Sequence, residues 1–181
     1  MLDDPGHPRG VGRSLVIGLG SPDRGDDAIG PTVAAAVAGV VAERQMPGVH
    51  VVEQEDPTAL VELLDPHRER WDTVVIIDAV HSGAAAGTVA VIDVGAGQPS
   101  LATAGARFDP GPAGTHGFGL AGAIELSRAL DRLPPRVLIV GVEAVDFTHG
   151  APLSGPVAAA VGRAVDAVLD AVAAGTPERG S

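Results

Sequence analysis

The stretch that decides the fold runs from Ser14 to Gly30 and reads SLVIGLGSPDRGDDAIG. Its apolar part, 15–19, predicts a buried strand, and Gly18 and Gly20 let the backbone turn tightly where that strand ends. Two adjacent aspartates at 26–27 follow, and an Ala/Val-rich helical pattern begins directly after them. In open α/β sheets, ligands bind at junctions of this kind. The stretch therefore predicts a strand–helix unit with two acids at a ligand-binding edge.

The two acids have an ordinary interpretation that comes first. An aspartate in front of a helix is usually its N-cap, and its charge suits the positive end of the helix dipole. One side chain is enough for a cap, so the second carboxylate of the pair Asp26–Asp27 is predicted to face the crevice. Backbone N–H groups nearby would keep that carboxylate ionised. An ionised carboxylate is a hard oxygen ligand for a divalent metal ion.

Composition excludes several classes of protein. The chain has 181 residues, which favours one domain, and a hydrophobic share of 45% is enough to bury a sizeable core. The formal net charge of −11 argues against nucleic acid or an anionic membrane as the main partner. There is no cysteine, so thiol catalysis and cysteine metal sites are excluded. The N-terminus lacks a signal-peptide core and no apolar run approaches a membrane span, so a cytoplasmic protein is expected.

Strand and helix patterns alternate along the whole chain. This alternation predicts a three-layer α/β/α sandwich with a mostly parallel, twisted sheet of about five strands. We predict a flexible lead-in over 1–13, a single α/β domain over 14–173 and a flexible tail over 174–181. A long loop without periodicity is predicted over 95–114. The predicted strands are 14–20, 49–53, 73–78, 87–93 and 136–143, and the predicted helices are 27–44, 58–64, 119–130 and 156–173.

Three candidate site residues follow from this arrangement. Asp27 follows the first strand, Asp78 ends the third, and His116 opens a helix after the long loop. In a parallel sheet all three reach the same carboxyl edge, and two carboxylates with one imidazole suit nickel or zinc. The spacing alone is weak evidence for a metal site, because aspartates at strand ends and histidines in loops are common. His81 and His149 lie near the same edge and are expected to be solvated.

The sequence gives weaker support to other kinds of functional site. The segment 18–23 lacks the third glycine of a dinucleotide fingerprint and places acids where a pyrophosphate would lie. No Gly-x-Ser-x-Gly elbow occurs, so a serine hydrolase is disfavoured, and Ser21 is interpreted as a turn residue. Arg24 is either solvated or holds a carboxylate of the site or of a partner.

Six short motifs, in this order, give the sequence a family likeness over 14–173. It resembles the hydrogenase maturation proteases, which trim the C-terminus of the large subunit of nickel–iron hydrogenases. Two departures from the family pattern are Ser21, where asparagine is usual, and the region 95–114, which does not align. The motifs that carry the likeness are Gly18–Ser21 with Asp26–Gly30, Ile76–Ala79, Gly87–Val89, Thr115–Leu120, Val140–Val142 and Leu153–Val157.

The resemblance implies an activity and a partner. It implies an endopeptidase that acts on a hydrogenase large-subunit precursor whose nickel is already in place, with Asp27, Asp78 and His116 at the family's metal-recognising positions. The nickel is then carried by the precursor, and a monomer that meets it one-to-one is the simplest expectation. A different class remains open, a metal-dependent binding module or chaperone that grips the precursor without cutting it. An endopeptidase for another protein and a small-molecule α/β enzyme are further alternatives.

Overall fold

The computed structural model describes residues 12–100 and 119–175, and they form a sheet covered by helices on both faces. The sheet has five strands in the order β2-β1-β3-β5-β4. Neighbouring strands are parallel except for β4, which lies antiparallel on β5 at the edge. The predicted fold class, with its mostly parallel sheet, is confirmed. The strands are β1 (Ser14–Leu19), β2 (Val49–Gln54), β3 (Thr73–Val80), β4 (Val89–Asp93) and β5 (Arg136–Glu143).

The helices follow the predicted pattern with three differences. The first predicted helix, 27–44, begins instead with a 3-10 turn, Gly25–Ala28, that leads into α1. The last predicted helix, 156–173, is divided into two helices. The short helix after β2 begins with a 3-10 turn, Pro57–Ala59, capped by the side chain of Asp56. The α-helices are α1 (Ile29–Glu43), α2 (Leu60–Leu63), α3 (Leu120–Ala129), α4 (Gly155–Ala158) and α5 (Val161–Gly175).

Each face of the sheet has its own aliphatic core. Side chains alternate along a strand, so neighbours in β1 enter different layers. Leu15 and Ile17 pack in the layer that holds α2 and α3, whereas Val16 packs in the layer that holds α1 and α5. The central strand β3 is buried over 73–77, as its continuous apolar run predicts.

Two glycines bring α1 directly onto β1. A Cβ atom on Gly18 would lie 2.5 Å from the carbonyl oxygen of Gly30, and one on Gly30 would collide with the backbone of Leu19. Gly20 adopts φ +127°, a conformation that other residues rarely adopt. This close approach holds the turn Gly25–Ala28 at the carboxyl end of β1.

One helical stretch of the described chain, Gly25–Glu43, is long and apolar enough to cross a membrane by length and composition. The expectation that no segment reaches that length is therefore wrong. Half of the stretch is buried in the fold, and core helices of soluble proteins pass the same test.

Candidate active site

The loops that carry the candidate residues meet at one edge of the sheet. β1, β3 and β5 are parallel, so their carboxyl ends lie on the same side. The turn Gly25–Ala28 follows β1, and the segments 81–88 and 144–154 follow β3 and β5. This is the edge at which α/β sheets bind their ligands.

Asp27 lies half-buried in the 3-10 turn that precedes α1. Its carboxylate Oδ2 accepts a hydrogen bond from the backbone N–H of Ser21 at 2.9 Å. Because the donor is a backbone group, this contact does not depend on whether residue 21 is serine or asparagine. The cap position of α1 is Ala28, with no side-chain cap bond. The predicted N-cap role for one of the two aspartates is therefore wrong. Both carboxylates instead accept hydrogen bonds from loop backbone groups.

Asp78 lies near the end of β3, between β1 and β5, where its register partner is Gly141. Burial of its carboxyl group and, after it, the negative charge of Asp27 raise the pKa of Asp78 well above its ordinary value. A hydrogen bond from the Ala79 backbone acts in the opposite direction and is outweighed. The structure thus brings Asp27 and Asp78 close enough to repel each other, and a bound cation would relieve that repulsion.

The third predicted residue, His116, lies outside the described residues, as does most of the predicted loop 95–114. Within 12–100 and 119–175, no three His, Asp or Glu side chains are grouped to hold a metal ion. The described donor set at this edge is therefore the carboxylate pair Asp27 and Asp78. Carboxylate oxygens suit a divalent cation and leave open positions for other ligands.

The neighbour of Asp27 has a role that the sequence did not predict. Asp26 is completely buried, and its carboxylate reaches across to the segment 144–154. Oδ2 accepts the backbone N–H groups of Val145 and Asp146, each at 3.0 Å. Oδ1 accepts the backbone N–H of Ser154 at 2.7 Å, and the Ser154 hydroxyl donates to Oδ2 at 3.0 Å. Burial alone would raise the pKa of Asp26, but these hydrogen bonds outweigh it and lower the pKa.

Backbone contacts reinforce this junction between the turn after β1 and the segment after β5. The φ of Gly25 is +54°, and a Cβ atom there would lie 2.5 Å from the carbonyl oxygen of Asp146. Arg24, predicted to be solvated or to hold a carboxylate, donates from Nε to the Phe147 carbonyl at 3.4 Å. Three backbone hydrogen bonds join the two segments: Asp26 to Asp146 at 2.6 Å, Gly25 to Ala151 at 3.1 Å and Gly150 to Asp23 at 2.7 Å.

A second buried carboxylate anchors the segment after β3. Glu143, at the end of β5, is 2% exposed. It accepts hydrogen bonds from the Ser82 backbone at 3.0 Å, the Ser82 hydroxyl at 2.7 Å and the Gly83 backbone at 2.9 Å. Burial raises the pKa of Glu143, but these bonds and the nearby His81 lower it overall. The one sequence signal for this role is an acid at the end of an otherwise apolar strand.

The two loop histidines lie on the surface. His81 is exposed, and its Nδ1 lies 3.4 Å from the carbonyl oxygen of Ala144 and 3.9 Å from Glu143 Oε1. His149 is exposed in the segment after β5.

Comparison with known proteins identifies relatives. The sequence profile of a family described as HycI, hydrogenase maturation protease, matches residues 56–171, which is more than half of the chain. No curated protein matches the chain. The matched profile region contains Asp78 and His116, whereas Asp27 lies before it.

Solved structures share the fold over nearly the whole chain. The hydrogenase maturating endopeptidase HybD from Escherichia coli is 24% identical, with TM-score 0.67 over 90% of this chain and 93% of that one. An endopeptidase from Escherichia coli is 25% identical, with TM-score 0.66 over 88% and 91%. The NiFe hydrogenase maturation protease HycI from Thermococcus kodakarensis is 20% identical, with TM-score 0.64 over 91% and 95%.

Proposed function

The chain belongs to the hydrogenase maturation protease family, and we propose that it removes the C-terminal extension of a nickel-loaded large-subunit precursor of a NiFe hydrogenase. The observation that carries this proposal is the pair Asp27 and Asp78. The carboxylate of Asp27, from the turn after β1, and that of Asp78, from the end of β3, meet at the carboxyl edge of the sheet, and the charge of Asp27 disfavours ionisation of Asp78. Such a pair is suited to receive a cation that arrives with the substrate.

In this proposal the nickel ion is part of the substrate. Asp27 and Asp78 offer carboxylate oxygens to the ion's open positions, and His116 adds an imidazole nitrogen. The three side chains thereby anchor the precursor with its C-terminal segment at the edge of the sheet. A precursor without nickel has no ion to engage, so its extension is left uncut. Nickel dependence then acts as a checkpoint on metal insertion.

Cleavage requires water to add to a peptide carbonyl. A carboxylate at this edge is suited to accept the proton of the attacking water, and the amine that leaves must receive a proton. Asp78 is the candidate proton acceptor, because its raised pKa makes its carboxylate more basic than an ordinary aspartate. The nickel ion supplies a positive charge that stabilises the developing oxyanion when the carbonyl lies close to it.

The other features of the proposal follow from charge and family. The formal net charge of −11 disfavours nucleic acid and anionic membranes as partners. We place the reaction in the cytoplasm and assign it to a monomer that meets one precursor. We assign the single peptidase domain to 14–173, with the lead-in 1–13 and the tail 174–181 outside it.

The test is the intact mass of NiFe hydrogenase large-subunit precursors after incubation with the protein. A panel of precursors, each loaded with nickel or left empty, is compared side by side. Loss of a C-terminal peptide from a loaded precursor, with its empty form intact, is the expected result. Loss from both forms would contradict the nickel checkpoint.

A second measurement on the same samples separates the alternatives. Co-elution of the protein with a loaded precursor of unchanged mass would favour the non-cleaving binding module. Neither cleavage nor co-elution across the panel would overturn the proposed substrate.

A further inference from the structure

The segment 144–154, which we call the β5 loop, combines an exposed apolar side chain with a firmly held backbone. Val145 is 57% exposed, yet its backbone N–H donates to the completely buried Asp26. The next residue, Asp146, donates to the same oxygen. Single exposed apolar side chains are common on protein surfaces. This one differs because a buried charge fixes its backbone beside the candidate active site.

The position of the loop follows from the sheet. The backbone N–H of Ala144 donates to the carbonyl oxygen of Val80 at 2.9 Å, so the β5 loop begins against the end of β3, two residues beyond Asp78. It also contacts the turn after β1, where it donates to Asp26, the residue next to Asp27. The loop therefore contacts both of the elements that carry the two site carboxylates.

We propose that the β5 loop is a binding wall for the peptide chain of the precursor, with Asp26 as its positioning residue and Val145 as a contact residue. The inference rests on the proposed function, since the precursor is its named occupant. A surface that is ordered before binding loses less conformational entropy when the partner arrives. Asp26 supplies that order through four charge-assisted hydrogen bonds to three residues of the loop.

The first test changes the surface and leaves the anchor intact. Val145→Asp adds a charge to the wall, and we expect KM for the loaded precursor to rise about tenfold. Val91→Asp is the matched control, because Val91 is 50% exposed on the edge strand β4. The control is expected to leave KM within about twofold of wild type.

The second test changes the anchor. Asp26→Asn places an amide group where a carboxylate oxygen accepts the N–H of Ser154. We expect hydrogen exchange of the Val145, Asp146 and Ser154 amides to accelerate about tenfold or more, and KM to rise with it. A lower folded fraction would reduce the apparent kcat without changing KM, so KM separates positioning from stability.

Asp65→Asn is the matched control for the anchor. Asp65 is a buried carboxylate, 7% exposed, that accepts the N–H of His67 at 2.9 Å and pairs with Arg132 at 3.4 Å. It lies towards the opposite edge of the sheet, since Arg132 stands just before the start of β5. This variant is expected to leave both KM and the exchange of the β5 loop unchanged.

The outcomes separate this inference from the proposed function. Wild-type KM values for both Val145→Asp and Asp26→Asn, with cleavage intact, would overturn the binding wall. Accelerated exchange in Asp26→Asn with unchanged KM would make Asp26 a structural anchor only and would overturn its positioning role. If the wild-type protein itself neither binds nor cleaves a loaded precursor, the proposed function fails, and the wall fails with it.

Discussion

Two kinds of carboxylate meet at the same edge of the sheet: the buried Asp26 and Glu143, and the half-buried Asp78. Asp26 and Glu143 each accept hydrogen bonds from backbone N–H groups and a serine hydroxyl, and their pKa values are lowered. At Asp78, burial and the charge of Asp27 disfavour the ionised form, and a single backbone hydrogen bond favours it. The pKa of Asp78 is therefore raised. Desolvation raises the pKa in both kinds, so the direction is decided by the supply of hydrogen-bond donors and, at Asp78, also by the charge of Asp27. Asp26 and Glu143, which have several hydrogen-bond donors each, fix loops. Asp27 and Asp78, which have few, are available for a ligand.

The largest expected effect is the loss of cleavage in Asp78→Asn. The variant removes one of the two paired carboxylates, and we expect the rate on a nickel-loaded precursor to fall by about 100-fold or more. Folding should be preserved or improved, because burial and the charge of Asp27 both disfavour ionised Asp78. Precursor mass and a thermal melt measure the two effects. An unchanged cleavage rate would remove Asp78 from the proposed site.

The next effect is on stability. Asp26→Ala deprives the N–H groups of Val145, Asp146 and Ser154 of their acceptor. Since each unsatisfied buried donor costs about 1–3 kcal/mol, we expect the free energy of unfolding to fall by about 3 kcal/mol or more. Denaturant unfolding measures this difference. A loss below about 1 kcal/mol would show that water replaces the carboxylate and that the loop is weakly anchored.

A smaller effect depends on pH. The folded pKa of Glu143 lies below its ordinary value of 4.5, so its contribution to stability is present above that pH and is lost as the pH falls through the folded pKa. Glu143→Gln removes this dependence. We expect the variant to be less stable than wild type at pH 7 by about 1–3 kcal/mol, and the difference to shrink below about pH 4.5. Unfolding curves over this range measure it, and a constant difference would contradict the assignment.

The smallest effect tests a contact that depends on the backbone alone. Ser21→Asn restores the residue that is usual in the family pattern. The contact to Asp27 comes from the Ser21 backbone N–H, so we expect stability to change by no more than about 0.5 kcal/mol. A cleavage assay on the same variant should show a rate close to wild type. A large gain in rate would assign the asparagine side chain a role of its own.

The alternation of strands and helices was predictable because the hydrophobic periodicity of each segment reports its own environment. The run 73–77, predicted as a central strand and buried in the structure, belongs to this local kind of information. The proximity of Asp27 and Asp78 was predictable because the strand ends of a parallel sheet converge. The role of Asp26 was not predictable, since the N–H groups that donate to its carboxylate lie 119 to 128 residues away in the sequence. No local pattern around Asp26 reveals the β5 loop.

The anchor between Asp26 and the β5 loop has a consequence for the order of folding. The hydrogen bonds to Val145 and Ser154 span 119 and 128 residues of the chain. Contacts of such high sequence separation close large loops, and they form only after most of the chain entropy has been lost. A chain still emerging from the ribosome holds Asp27 long before it holds the segment that fixes the neighbouring residue. We therefore expect the candidate site to mature last, when β5 has joined the sheet and the loop after it has docked.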